Sequence, residues 1–183
     1  LELAAPSVNQ SSYHFSVAGD RAILYGLGAI KGVGRSAVEA LIAERDAKGA
    51  YSGLTEFCRR VDHDKVNRRA LEAMIKSGAM DDFGLSRRAL MHQVPEALKS
   101  ADQHARAAAA GQNDMFGLEA PPEPDEAAVS INMDELPERL LLSNEKEALG
   151  LYLTGHPFHA VRADARCFVD GNLADLAAEP PPQ

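Results

Sequence analysis

The chain has 183 residues and a formal net charge of −8, enough length for one core of about 100 to 150 residues with extensions. The charge is uneven: residues 1–110 hold 15 Lys and Arg against 13 Asp and Glu, whereas residues 111–183 hold 4 against 14, so a first part near +2 precedes a second near −10. This distribution excludes a broad basic footprint but leaves room for a local anion site in the first part. Two cysteines, Cys58 and Cys167, stand far apart and outside any CxxC spacing; they form neither a disulfide framework nor a zinc site and read as buried or half-buried thiols. No apolar run reaches the length of a membrane span, and the first residues lack the pattern of a signal peptide, so a soluble, cytosolic chain is expected, with no membrane partner. From a start without Met and a terminal Pro-Pro-Pro-Gln, a piece of a longer chain is expected.

In chain order, residues 12–17 alternate polar and apolar side chains, Gly19-Asp20 is a turn dipeptide, and residues 21–25 return as a second strand. A small β-hairpin is expected, too small to stand alone in water. Residues 25–42 then run from a short apolar segment through a glycine turn into a helix over about residues 35–46, with Ala37, Val38, Ala40, Leu41 and Ile42 on one stripe. This is a helix-hairpin-helix signature. Gly32 and Gly34 would let the backbone take positive φ on either side of Val33, which points inward. The turn would then leave a row of N–H groups at a helix N-terminus, flanked by Lys31 and Arg35. The natural anion there is a nucleic-acid phosphate; the plainer alternative is a tight turn that binds nothing.

A connector helix follows over residues 54–61, with Leu54, Phe57, Cys58 and Val61 on one face. The next helix is capped by Asn67 and carries Leu71, Met74 and Ile75 as its apolar stripe. After the turn at residues 77–80, a further helix begins near Ser86 and runs through Leu90, Val94 and Leu98 to about Ser100, with a kink expected at Pro95. Helix, glycine turn and helix thus occur twice, the arrangement of a tandem helix-hairpin-helix, (HhH)2, unit. The second turn is degenerate, with Gly78 its single glycine; Lys76, Arg87 and Arg88 are its candidate phosphate contacts.

From Ala101 an alanine-rich helical tail runs to Gly111, and Gln112, Asn113, Asp114, Met115 and Phe116 precede a segment rich in Pro and Glu. A Gln followed by two large apolar residues in a flexible polar setting is the pattern of a short docking peptide, with the amide fixing register and the apolar pair supplying burial. The alternative is that Met115 and Phe116 fold back on the core. Ser143 or Asn144 is expected to cap a last helix that ends before Gly155, which Pro157 prevents from continuing. His156 and His159 lack a third nearby ligand, so no metal site is assigned.

These features together resemble the bacterial DNA polymerase III α subunit family of replicative, C-family polymerases, in the region that follows the fingers domain. Residues 25–42, 66–83, 111–117 and 144–157 carry the resemblance, which spans residues 8–158. It implies a mainly α fold: a small N-terminal β-hairpin over residues 1–25 at the tail of a preceding domain, an (HhH)2 domain over 26–100, a clamp-binding loop and acidic linker over 101–138, and an additional C-terminal helix and linker over 139–183. It implies duplex DNA bound through Lys31, Gly32, Val33, Gly34 and Arg35. It also implies that residues 112–116, a Gln-x-x-Met-Phe form of the internal clamp motif, hold the β sliding clamp, with other replicase subunits reached through the parent chain. The parent would be a nucleotidyltransferase of the bacterial cytoplasm using Mg2+ outside this stretch; no catalytic residue is assigned here, and Asp62-His63-Asp64 and Asp81-Asp82 read as surface turns. Two other classes are carried: the (HhH)2 module of a repair enzyme, and a purely protein-binding helical domain.

Overall fold

Short alternating segments at the N-terminus give way to amphipathic ones, and the chain accordingly folds as a small sheet followed by helices. The computed structural model describes residues 2–62, 64–109 and 133–168. Strands β1 (Glu2–Ala4), β2 (Ser16–Ala18) and β3 (Ala22–Leu24) precede helices α1 (Arg35–Lys48), α2 (Leu54–Arg60), α3 (Arg68–Lys76), α4 (Arg87–Ala109), α5 (Glu138–Leu149) and α6 (Phe158–Ala165). The fold is mainly helical with a small sheet.

β2 and β3 form the expected antiparallel hairpin around Gly19, which takes φ +65°. Two things differ from the sequence expectation. β1 adds a third strand parallel to β3, giving the order β1-β3-β2. The first hairpin strand is confined to residues 16–18, because the preceding residues pack on the glycines after β3: a Cβ on Gly26 would lie 2.5 Å from the His14 backbone, and one on Gly28 would lie 2.6 Å from the Tyr13 ring. Those two glycines serve close approach, not turning.

α1 buries Ala37, Val38 and Leu41, and α2 buries Leu54, Phe57 and Cys58. α3 buries Ala70, Leu71, Met74 and Ile75 and is capped as expected, the Asn67 side chain accepting from the Ala70 N–H. α4 packs across α2 and α3 through Leu90, Val94, Ala97 and Ala101. Burying each Leu, Val, Phe or Met contributes about 1.5–3 kcal/mol, so this shared core, not helix propensity, holds the short helices. Cys58 lies in it, and burial pushes its thiol up to about 12. Cys167 is exposed, not half-buried as expected.

The N-terminal segment is stitched to the helices. Val8 is fully buried and its N–H donates to the Ala79 carbonyl at 2.8 Å. Asn9 pairs with the Tyr51 backbone in both directions, at 3.0 and 2.8 Å.

Three helix boundaries correct the sequence expectation. α4 passes through Pro95 as one helix that joins the expected alanine-rich tail without a break; the proline ring is exposed, and its missing N–H leaves the carbonyl four residues back without an intrahelical donor. α5 is not capped by Ser143 or Asn144 but begins at Glu138 behind Pro137, since Leu142, Glu145, Ala148 and Leu149 make one buried stripe that carries the helix forward. It ends at Gly150, φ +81°. Gly150, not Pro157, therefore ends α5, and Pro157 instead opens α6, a helix with no buried residue that the sequence pattern did not predict.

Candidate nucleic-acid interface

A single 3₁₀ turn, Leu27–Ala29, leads into the first hairpin, with Leu27 and Ile30 buried beneath it. Gly32 takes φ +90°, a conformation that L side chains resist, while Gly34 has φ −75° and ψ 155° as the N-cap of α1. Positive φ is therefore needed on one side of Val33 only. Val33 itself packs, half-buried, against the core.

The N-terminus of α1 is left open by its own sequence. Gly34 has no side chain to accept from the first turn, and that turn contains no acidic residue. The Lys31 N–H donates to the Ala148 carbonyl at 2.8 Å and that of Val33 to Ile30 at 3.3 Å. Among the described residues, the N–H groups of Gly32, Gly34, Arg35 and Ser36 find no acceptor. Four donors at a helix N-terminus, at the positive end of its dipole, form an anion-attracting turn. The Lys31 and Arg35 side chains are exposed beside it. Arg35 reaches Glu39 at 2.8 Å, an exposed pair that water screens, and lies over the Tyr13 ring at 5.2 Å from its centroid.

The hairpin is braced from a distant part of the chain. Besides the Lys31–Ala148 bond, the buried Tyr25 hydroxyl donates to the Leu149 carbonyl at 3.1 Å. The last carbonyls of α5 thus hold both sides of the turn, and burial raises the Tyr25 phenol pKa.

The second hairpin is built differently and corrects two sequence expectations. Gly78, φ +83°, follows the end of α3, where its N–H donates to Ile75 and that of Ala79 to Met74, both at 3.0 Å. This is a Schellman closure of a helix C-terminus, so these turn donors are consumed. Arg87 does not face solvent: it is 4% exposed and fills the space above Gly78. Its guanidinium donates to Asp81 at 2.8 and 3.0 Å and to Glu145 at 3.1 Å. Arg87 and Gly78 are accordingly structural rather than phosphate ligands. At the start of α4 the N–H groups of Arg87 and Arg88 donate to the Glu135 carboxylate at 2.9 and 3.3 Å, and that of Ala89 to Ser86 Oγ. Glu135 thus occupies the position an outside anion would take. The Arg88 side chain is exposed, and Lys76 pairs with Glu147 at 3.0 Å.

Lys76 does meet the first hairpin. A groove of about 360 Å³ is lined by Lys31, Gly32, Arg69, Lys76, Glu72 and Glu147 with Ala73 and Ala148. Arg69 was not anticipated, although a pair of arginines in the first turn of α3, against the helix dipole and without an acidic residue there, was a signal in the sequence. Gln112, Asn113, Asp114, Met115 and Phe116 lie outside the described residues. Among the described residues no group of three or more His, Cys, Asp or Glu side chains could hold a metal ion, and no helix is long and apolar enough to cross a membrane.

Residues 1–90 match the family described as the helix-hairpin-helix motif. Over 178 residues, 96% of its length, the chain is 46% identical to the DNA polymerase III subunit alpha of Escherichia coli strain K12. It is 42% identical to that of Xylella fastidiosa strain Temecula1 over 98% of the chain, and 44% identical to that of Vibrio cholerae serotype O1 over 86%. The chain spans 14–15% of the length of these relatives.

Proposed function

Starting from a chain that is a relative of one stretch of the DNA polymerase III alpha subunits and carries their helix-hairpin-helix motif, we propose that it binds the backbone of duplex DNA through its first hairpin. The observation that carries this reading is the open row of N–H donors at Gly32, Gly34, Arg35 and Ser36 beside Lys31. Backbone donors read phosphate and not base, so binding is indifferent to sequence and salt-sensitive. In this reading the parent chain is a DNA-directed DNA polymerase of the bacterial cytoplasm, with its carboxylates and Mg2+ in other parts of it. The stretch at hand positions that enzyme on DNA, and residues 112–116 tether it to the β sliding clamp for processive synthesis, other replicase subunits joining through the rest of the parent.

Fluorescence anisotropy of the 183-residue chain on two duplexes of unrelated sequence, titrated with salt, tests the DNA half. Equal affinities that fall steeply with salt are expected, with Lys31→Glu weakening both alike. Sequence-selective binding, or a Lys31→Glu variant that binds as before, would place the site elsewhere.

A further inference from the structure

Among the described residues the second hairpin does not repeat the open donors of the first, because its N–H groups are spent on Ile75, Met74, Glu135 and Ser86. Arg87, the basic residue at its centre, is locked between Asp81 and Glu145. Open positive charge lies instead beside the first hairpin, in the groove where α3 approaches Gly32. Its two carboxylates are already engaged: Glu72 accepts from Arg68 at 2.8 Å and Glu147 from Lys76 at 3.0 Å. Lys31 and Arg69 have no carboxylate partner among the described residues. The local helix explains the difference between the two arginines, since Arg68 meets Glu72 four residues on whereas Arg69 meets Ala73. Gly32, whose N–H finds no acceptor among the described residues, lines the same groove and approaches α3 closely enough that a Cβ would lie 3.7 Å from that of Ala73.

Resting on the reading that the first hairpin holds a phosphate, we propose that the next phosphate of the same DNA strand is held in this groove, with Arg69 as its ligand. The phosphate track then runs from the first hairpin across the start of α3 and not to the second hairpin. Lys31 and Gly32 of the hairpin line the same groove as Arg69, which sets the two contacts side by side as neighbouring phosphates of one strand require.

The salt dependence of duplex binding tests this on the 183-residue chain, comparing the unaltered protein with Arg69→Gln, Arg88→Gln and Lys31→Glu. Removing a side chain that neutralises one phosphate should flatten the plot of log affinity against log salt by about 0.9. Arg69→Gln is expected to flatten it by that amount and to weaken unrelated duplexes alike, with Arg88→Gln changing it less. An unchanged slope for Arg69→Gln, with Lys31→Glu still impaired, overturns the groove and leaves the hairpin standing. A larger effect of Arg88→Gln than of Arg69→Gln returns the second phosphate to the second hairpin and overturns the proposal. Absence of salt-dependent binding by the unaltered chain overturns both.

Discussion

Glu145 lies in α5 with no exposed surface. Burial alone would push its carboxyl up, but Oε2 accepts from the Leu153 and Thr154 N–H groups at 2.9 and 3.1 Å and Oε1 from Arg87 at 3.1 Å; these donors outweigh burial and hold the carboxyl below its ordinary range. Removing the charge leaves Arg87 buried with Asp81 as its remaining carboxylate and turns an amide donor toward groups that already donate. Glu145→Gln should therefore cost about 2–4 kcal/mol of stability at neutral pH, read from denaturant melts. A depressed carboxylate contributes stability that is fully present above its unfolded pKa of about 4.3 and is lost as pH falls through the lower folded value. The gap between wild type and Glu145→Gln should thus be full at pH 7 and narrow below about pH 4; a gap independent of pH would mean that the charge of Glu145 is not what matters. Neither end of this pair was legible from residue type, and Arg87 read as a phosphate ligand. Register held the clue: Arg87 stands three and seven residues before the buried Leu90 and Val94, and Glu145 falls on the stripe of Leu142, Ala148 and Leu149, whereas Arg88 falls between such positions.

At the scale of elements, what the sequence made legible is what local chemistry decides. Asn67 and Ser86 each accept an N–H three residues on and start α3 and α4 where their caps stand. Gly19-Asp20 turns the hairpin, and the stripes of α1 to α4 face the core as their spacing requires. Elements that depend on distant partners were not legible. β1 is three residues long and gains its ladder only from β3, about 20 residues away. The glycines at 26 and 28 carry no local signal of their role, which is to admit the segment carrying Tyr13 and His14. α5 starts at Glu138, ahead of a buried stripe that begins at Leu142, and not where a polar cap appears. The same limit applies to the candidate site: the open donors of the first hairpin followed from its glycines, but its brace on the Ala148 and Leu149 carbonyls, over 100 residues away, did not. Nor did Glu135 at the head of α4, since a carboxylate 48 residues from the N–H it accepts has no local signature.

For the whole molecule, a mildly basic first part and an acidic second part offer little bulk charge to DNA, so the proposed hairpin contact would need a second attachment to hold a duplex firmly. The peptide at residues 112–116 is the proposed one. On that proposal, two side chains buried in the clamp would contribute roughly 1.5–3 kcal/mol each before ordering costs, so the peptide would bind modestly alone. A clamp encircling the same duplex raises its effective concentration. Gln112→Ala together with Phe116→Ala should therefore abolish titration heat with the isolated sliding clamp while duplex affinity and melting temperature stay unchanged; a variant that loses stability instead would make Met115 and Phe116 core residues. In the proposed contact the hairpin donates backbone N–H groups to phosphate, and Gly34 isolates that donation. Its φ of −75° suits proline, and a Cβ there would meet nothing within 4 Å. Gly34→Ala keeps the donor and Gly34→Pro removes it. Losing one charge-assisted bond of about 1.5–3 kcal/mol weakens duplex binding roughly tenfold or more. The decisive measurement is duplex anisotropy at low salt on this pair of variants, with circular dichroism to establish equal folding: Gly34→Ala should bind like wild type and Gly34→Pro at least about tenfold more weakly, whereas equal binding by two folded variants would contradict the account.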